Sequence, residues 1–251
     1  MTYLSINCYI ATVGKKVATT VREKIERGGS DKLWTYADFE PLPGMAVAAA
    51  LSRMAKKGSL DRVRKGIYYK PRKTRFGLTA ADPSRVAAAV LDRRGIAWKA
   101  SGLPAYNALG LTAQVSPLTT FAVDRDVSSL RASSDRRVRF RVVPKVKNMT
   151  DRERAILDAL RDLRSIPDSS PEGVVNRIVE LFRSNEFSFS RMIKLASAEP
   201  PRVRALLGTI GTIMGENAET LKPLKDSLNA TTTFKLGLAE KIPAARSWGI
   251  R

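Results

Sequence analysis

The stretch that decides the fold is Met45-Ala-Val-Ala-Ala-Ala-Leu-Ser-Arg-Met-Ala-Lys-Lys57, then Gly58, then Ser59-Leu-Asp-Arg-Val-Arg-Lys-Gly-Ile-Tyr-Tyr-Lys-Pro71. Its first part is rich in small residues, and the helical period places Val47 and Leu51 on one face and Ser52 and Arg53 on another. This pattern predicts a helix over Met45–Lys57 that ends at Gly58.

The second part of the stretch predicts a tight basic hairpin. Leu60–Val63 and Ile67–Lys70 have strand character, and Gly66 between them supplies the positive φ that a short hairpin loop usually needs. A helix, a glycine stop and a two-stranded basic wing are the layout of a winged helix-turn-helix. That layout serves mainly to place one helix in a DNA groove and a positive hairpin on the flanking phosphates. The following basic segment Lys70–Arg75 is expected to be an extended strap.

The charge of the chain favours a polyanionic partner. Its 251 residues carry 44 basic and 24 acidic side chains, a formal charge of +20. Residues 1–80 carry a net charge of +10, residues 81–147 carry +7 and residues 148–251 carry +3. Nucleic acid is the first candidate, although ribosomal and membrane-surface proteins share this sign. The last third suits a protein partner better.

The composition excludes several kinds of chemistry. The single cysteine, Cys8, permits no disulfide within the chain and fits a reducing compartment. Because histidine is absent, there is no Cys/His zinc site and no Ser-His or Cys-His nucleophile pair. Two carboxylate pairs, Asp151/Glu153 and Asp158/Asp162, lie beside arginines on predicted helix surfaces, where capping and ion pairing account for them. We therefore expect no enzyme, no cofactor and no metal site.

Nothing in the sequence predicts a membrane protein. No segment approaches the roughly 20 apolar residues of a membrane span. The opening Met1–Val13 lacks the basic region and long apolar core of a signal peptide. We expect a cytoplasmic protein.

The whole chain is predicted to be α+β, with an N-terminal winged helix-turn-helix, a small α/β middle module and a helical C-terminal region. The predicted divisions are 14–78, 82–146, 150–230 and a tail, 231–251, that has little pattern and is expected to be extended, ordering only on a partner. Thr150-Asp-Arg-Glu153 is a capping box that opens the helical region. Glycines in Gly208–Gly215 are spaced to permit close helix packing.

The candidate DNA-binding residues lie on the predicted helix, wing and strap. Of the neighbouring tyrosines 68 and 69, one is expected to pack beneath the wing and the other to contact DNA. The candidates are Met45, Ala48, Ala49, Ser52, Arg53, Lys56, Lys57, Arg62, Arg64, Lys65, Tyr68, Lys70, Arg72 and Lys73. A second basic stripe is formed by Arg137, Arg139 and Arg141, which alternate along a predicted strand. For the winged unit, the alternative interpretation is a solvated basic face used for protein contacts. The stripe would extend the DNA footprint or meet an acidic partner, and its alternative interpretation is a solvated strand face.

Two stretches resemble a known family. Trp34-Thr-Tyr-Ala-Asp-Phe39, the helix to Gly58 and Arg62–Pro71 are similar to the N-terminal winged helix of AbiEi-like antitoxins of type IV toxin–antitoxin systems. Ala100-Ser-Gly-Leu-Pro-Ala-Tyr-Asn-Ala-Leu-Gly-Leu-Thr-Ala-Gln-Val115 resembles the second module of that family. Together the resemblance covers roughly residues 14–145.

The resemblance implies a protein with two roles. The winged helix would bind inverted repeats in the protein's own promoter as double-stranded DNA, with two copies on one site, and repress transcription. The downstream part would counteract a toxin that resembles a nucleotidyltransferase. Three other functions stay open: a stand-alone transcription regulator, an RNA-binding accessory protein, and a nuclease that uses carboxylates and a metal.

Overall fold

The computed structural model describes residues 16–131, 135–144 and 146–251. It divides the chain into an N-terminal unit, Met1–Gly95, and a C-terminal unit, Ile96–Arg251. Both units combine helices with small sheets, so the α+β fold class is confirmed. Cys8 and the segment Met1–Val13 lie outside the described residues.

Within residues 16–95, the N-terminal unit contains three helices, a three-stranded antiparallel sheet and a short extra hairpin. Its elements are α1 (residues 16–27), β1 (Lys32–Thr35), a 3-10 turn (Ala37–Phe39), α2 (Gly44–Lys56), β2 (Asp61–Arg64), β3 (Ile67–Lys70), β4 (Lys73–Thr74), β5 (Gly77–Leu78) and α3 (Pro83–Arg93). The strand order is β1-β3-β2. The predicted helix and hairpin are therefore confirmed to within about a residue at each end.

A small hydrophobic core fixes the orientation of α2. The helix α1 contributes one apolar residue every four positions, α2 contributes the face predicted from its sequence, and Trp34 stacks on Phe39 with ring centroids 5.5 Å apart. The core consists of Val17, Val21, Ile25, Trp34, Phe39, Val47, Ala50, Leu51, Leu60 and Tyr68. Because this face of α2 is buried, its opposite face, with Ala49 and Arg53, is turned to solvent.

The first unit extends further than the sequence predicted. We expected residue 82 to open a separate module, and Asp82 does cap α3 by accepting a hydrogen bond from the Ser84 backbone N–H. However, α3 packs on β1 and β3. Arg85 donates to the Asp31 carbonyl at 3.1 Å, and Arg93 donates to the Lys65 carbonyl. The boundary therefore lies after Gly95, because α3 covers the sheet.

The C-terminal unit combines a small sheet with a larger group of helices. Its elements are β6 (Trp98–Ser101), α4 (Leu103–Ala108), β7 (Thr119–Val123), α5 (Ser128–Arg131), β8 (Val138–Val142), a 3-10 turn (Val146–Asn148), α6 (Asp151–Arg161), α7 (Pro171–Arg183), α8 (Phe189–Ala196), α9 (Pro201–Met214), α10 (Ala218–Asp226) and a 3-10 helix (Pro243–Trp248). In the sheet, β6 and β7 are antiparallel, and β7 and β8 are parallel. The capping box of Thr150 and Glu153 is confirmed at the start of α6.

The predicted division between a middle module and a helical region differs from the structure. Tyr106 of α4 and Leu109 at its C-terminal cap belong to the same hydrophobic cluster as Leu157 of α6 and Leu206 of α9. A segment that shares its core with the helices downstream is part of the same folding unit. The predicted ranges 82–146 and 150–230 are therefore not separate domains.

The tail is folded, which corrects the expectation for residues 231–251. Phe234 and Ile250 form a parallel β-bridge, and Trp248 is 5% exposed. The Trp248 Nε1–H donates to the Thr212 hydroxyl at 2.9 Å. A Cβ atom at Gly208 of α9 would lie 2.4 Å from the Trp248 ring, so the glycine provides the close packing that its spacing predicted. The apolar residues of this tail are buried without a regular period, so no helix or strand pattern could be recognised in its sequence.

Candidate nucleic-acid interface

The exposed face of α2 is basic and carries no acid. Met45 is 90% exposed, and Ala49, Arg53, Lys56 and Lys57 are also exposed. Ala48 and Ser52 are partly exposed beside them. The cations lie in the last turn and at the C-terminal cap. Small side chains precede them, so this helix has a side that another molecule can approach closely.

The first hairpin, formed by β2 and β3, lies in contact with α2. Arg62 pairs with Tyr68 and Arg64 pairs with Ile67, with an irregularity in register between the two arginines. Arg62, Arg64 and Lys65 are exposed along the outer strand and its turn. Gly66 has φ +75°, which confirms its predicted role in the turn.

The turn of the first hairpin is held from behind by α3. Arg93 donates to the Lys65 carbonyl, and a Cβ atom at Gly66 would lie 2.8 Å from the Arg93 guanidinium and 3.1 Å from the Tyr36 ring. The backbone of this turn is therefore fixed, while the Lys65 side chain remains exposed.

Tyr68 is not placed to contact a ligand, contrary to the prediction. Tyr68 is 1% exposed and Tyr69 is 4% exposed. Tyr68 lies in the core with α1 and α2, where burial raises the pKa of its phenol. Tyr69 occupies the opposite face, and its hydroxyl donates to the Asp31 carboxylate at 2.8 Å. The prediction failed because β3 is the central strand and is covered on both faces.

Two of the predicted basic contacts are engaged within the protein. The Lys70 ammonium donates to the Ile25 carbonyl at 3.2 Å. The Arg72 guanidinium lies 2.8 Å from the Asp31 carboxylate, although 63% of the Arg72 side chain stays exposed. Both therefore anchor the sheet. The exposed basic side chains of this unit include those of α2 together with Arg62, Arg64, Lys65 and Lys73.

Sequence reasoning missed Phe76 and Leu78. The segment expected to be a strap instead turns back on itself as a second hairpin, in which Lys73 pairs with Leu78 and Thr74 pairs with Gly77. Phe76 at its tip is 86% exposed and Leu78 is 64% exposed. The available signal was Phe76-Gly77 within an otherwise basic segment, which is typical of a turn.

The second basic stripe is not a continuous surface. Arg137 hydrogen-bonds Asp135 at 3.0 and 3.1 Å, and these bonds lower the pKa of Asp135 to about 2. Arg139 is exposed. Arg141 lies 2.7 Å from Asp162 and 3.8 Å from Asp158, both on or next to α6. Arg137 and Arg139 are exposed as predicted, whereas Arg141 turns toward α6 and is only partly exposed.

The carboxylates of α6 are largely buried, so their predicted placement on a helix surface is wrong for Asp158 and Glu153. Arg154 and Asp158 are fully buried and lie 2.8 Å apart. Arg154 also bonds Glu199 at 2.8 Å, and Arg161 bonds the other oxygen of Glu199. Burial raises the pKa of Asp158, while Arg154 and the Ser101 hydroxyl oppose that effect.

This buried network is balanced in charge. Three arginines (Arg141, Arg154 and Arg161) meet three carboxylates (Asp158, Asp162 and Glu199). Its carboxylates are matched by guanidinium groups, as expected for a structural network. Among the described residues, no group of three or more His, Cys, Asp or Glu side chains could hold a metal ion. Within the same part of the chain, every helix is too short or too polar to cross a bilayer.

Comparison with known proteins places the chain in a family. A model of the family DUF6088, described as a family of unknown function, matches residues 21–187. The chain belongs to this family, and the match includes α2, both hairpins and all of α6 and α7. No curated protein matches significantly. A crystal structure of the RV2827C protein from Mycobacterium tuberculosis is similar with a TM-score of 0.47 and 16% identity, covering 88% of this chain and 84% of that one.

Proposed function

We propose that the N-terminal unit is a winged helix-turn-helix that binds double-stranded DNA. One observation carries this proposal: the outward face of α2 presents Ser52, Arg53, Lys56 and Lys57 without an acid, in contact with a first hairpin whose outer side is also basic. A helix with a basic last turn beside a basic hairpin suits the major groove and its flanking phosphates.

The side chains suggest how the contacts are shared. Ala48 and Ala49 leave room for close approach and offer methyl groups to thymine, and Ser52 reaches base edges or phosphate oxygens. Arg53, Lys56 and Lys57 supply charge, as do Arg62, Arg64 and Lys65 of the first hairpin. Most of the affinity then comes from phosphates and little from base readout. One such unit reads few base pairs, so two copies would bind an inverted repeat.

We extend this proposal to an antitoxin that represses its own promoter and counteracts a nucleotidyltransferase-like toxin. The sequence resemblance to AbiEi-like antitoxins supports the extension. The low net charge of residues 148–251, +3, supports a protein partner for the C-terminal unit. The protein would act by binding, without catalysis and without a cofactor.

DNA binding is tested by fluorescence anisotropy with the full-length protein and duplexes from the region upstream of its own gene. The variant Arg53→Ala/Lys56→Ala should bind at least about tenfold more weakly, and the slope of log K against log salt should fall by about 2. The control Arg22→Ala/Arg164→Ala removes the same number of exposed charges from other surfaces and should bind normally. An equal loss of DNA affinity in both variants would show that DNA binds through the net charge of the protein and not through α2. Tighter binding of structured RNA would identify an RNA-binding protein.

The antitoxin role is tested by growth of cells that express the neighbouring gene. Full-length protein should restore growth, and a truncation ending at Gly95 should repress the promoter without restoring growth. A harmless neighbour would contradict the antitoxin role and leave the DNA-binding role standing.

A further inference from the structure

The second hairpin presents an aromatic side chain that the proposed helix and wing contacts do not use. Arg75 and Phe76 form its tip, and Phe76 is 86% exposed. Leu78 is 64% exposed and pairs with Lys73 across the hairpin. The side chains of Leu78 and Lys73 therefore lie on the same face of the hairpin. The arm therefore combines two apolar groups with two cations.

Hydrogen bonds hold the tip of this arm in a defined shape. The Thr74 hydroxyl donates to the Gly77 carbonyl at 2.8 Å and accepts from the Phe76 backbone N–H at 3.2 Å. Gly77 has φ +113°, a conformation that side-chain-bearing residues rarely adopt. Phe76 is thus displayed on an ordered turn.

The base of the arm is tied to the sheet. The Arg72 N–H donates to the Thr79 hydroxyl at 2.8 Å, and the Thr79 N–H donates to the Arg72 carbonyl at 3.0 Å. The Thr79 hydroxyl in turn donates to the Asp31 carboxylate at 2.6 Å, next to the Tyr69 hydroxyl. An arm fixed at both ends has already lost much of its conformational entropy, which lowers the cost of binding through it.

The surroundings of Phe76 select a polyanion over an apolar protein surface. Residues 70–81 contain four basic residues and no acid. The Arg75 guanidinium lies 4.6 Å from the centroid of the Phe76 ring. An aromatic ring flanked by cations is the combination that stacks on nucleic-acid bases while the cations hold phosphates.

The topology places the arm near the basic end of α2. Asp61 of β2 pairs with Tyr69 of β3. Lys57 precedes Asp61 by four residues, and Lys73 follows Tyr69 by four residues. Four residues span at most about 14 Å, so both basic segments lie within that distance of the same end of the sheet. One duplex can contact both.

We propose that Phe76 enters the minor groove as a wedge at a base step beside the α2 site, while Lys73 and Arg75 bind the flanking phosphates. Apolar wedges between base steps unstack them and bend the duplex. Flexible pyrimidine–purine steps would be preferred there, so the arm adds sequence selectivity through DNA deformability. This inference rests on the proposed DNA-binding function and deepens it.

The test uses full-length protein and duplexes from its own upstream region, with anisotropy for affinity and energy transfer between labelled ends for bending. Phe76→Ala should weaken binding about tenfold, abolish bending and leave the salt slope unchanged, because no charge is removed. Phe76→Trp should restore both affinity and bending. Arg75→Ala should lower the salt slope by about 1. The control Val115→Ala removes an apolar side chain that is 90% exposed in the other unit and should have no effect.

The possible outcomes distinguish failure of the wedge from failure of the proposed DNA-binding function. Wild-type protein that binds and bends DNA no more than Phe76→Ala does would overturn the wedge and leave α2 binding intact. Wild-type protein that binds no DNA would overturn both. A Phe76→Ala variant with normal DNA affinity but lost toxin neutralisation would assign the arm to a protein partner and overturn the wedge.

Discussion

At the residue scale, Gly66 shows how one backbone conformation positions a charged turn. Its φ of +75° costs about 1–2 kcal/mol for any residue with a Cβ, and an added Cβ would lie 2.8 Å from the Arg93 guanidinium. We predict that Gly66→Ala lowers the free energy of unfolding by about 2–3 kcal/mol, measured by urea denaturation. Gly44→Ala in the first turn of α2 is the matched control, since nothing lies within 4 Å of its added Cβ, and should be neutral or slightly stabilising. Equal effects would show that Arg93 and Tyr36 do not constrain the turn.

Asp31 is the residue on which the second hairpin depends. The Thr79 hydroxyl first, then Tyr69 and Arg72, lower the pKa of this carboxyl below its ordinary value of 3.8. A lowered folded-state pKa contributes stability that is present above pH 3.8 and lost as the pH falls through the folded value. Acid should therefore loosen the arm.

We predict that protection of the backbone amides of residues 72–79 from hydrogen exchange decreases as the pH falls below 3.8, because the folded-state pKa of Asp31 lies below that value. Asp31→Asn should loosen the same amides already at pH 7, since it removes the charge that pairs with Arg72. Residues 174–182 of α7 serve as the internal reference. An arm whose protection in Asp31→Asn equals that of the wild type would contradict this anchoring role.

At the element scale, α6 is held in place by its buried ion network. Glu199 bonds both Arg154 and Arg161, and its side chain is fully buried. Glu199→Gln would leave a positive charge without compensation in the interior, so we predict a loss of about 3–5 kcal/mol in the free energy of unfolding. The control Glu180→Gln breaks an exposed pair with Arg177 and should cost less than about 1 kcal/mol. Thermal denaturation measures both variants. Similar losses of stability in Glu199→Gln and Glu180→Gln would mean that water reaches the network.

The elements that the sequence predicted well are those whose signals are local. The apolar face of α2, the turn at Gly66 and the capping box at Thr150 each follow from residues within a few positions of one another. The burial of Tyr68 depends on α1, and that of Arg154 depends on Glu199, and both partners are distant in sequence. The same reason explains the tail, since Trp248 is buried by packing on Gly208 rather than by any period of its own.

The residues of the candidate site also differ in whether local sequence or distant contacts determine their exposure. Exposure of Arg53, Lys56 and Lys65 followed from their positions on a helix face and at a turn. Lys70 and Arg72 looked equivalent to them in sequence, yet their partners are the Ile25 carbonyl and Asp31. Only the tertiary contacts show whether a basic residue near a sheet binds another part of the protein or is available to a ligand.

At the scale of the whole molecule, the charge distribution determines how salt affects binding. We expect the proposed DNA interface to make about five to eight phosphate contacts, which predicts a slope of log K against log salt between about −4.5 and −7. Because the sequence contains no histidine, this charge should stay constant between pH 6 and 8, and so should the affinity. Anisotropy titrations over salt and pH measure both. A slope near zero would contradict a phosphate-dominated interface.

The strand order β1-β3-β2 also has a consequence for how the first unit forms. The β2–β3 pairing closes a short loop, whereas pairing of Lys32 with Lys70 must close a loop that contains α2 and β2. Longer closures come at a higher entropic cost and form later. We therefore expect β1 to join last during refolding. Trp34 lies on β1 and is the tryptophan of this unit, so its fluorescence reports the final kinetic step, in which the three-stranded sheet becomes complete.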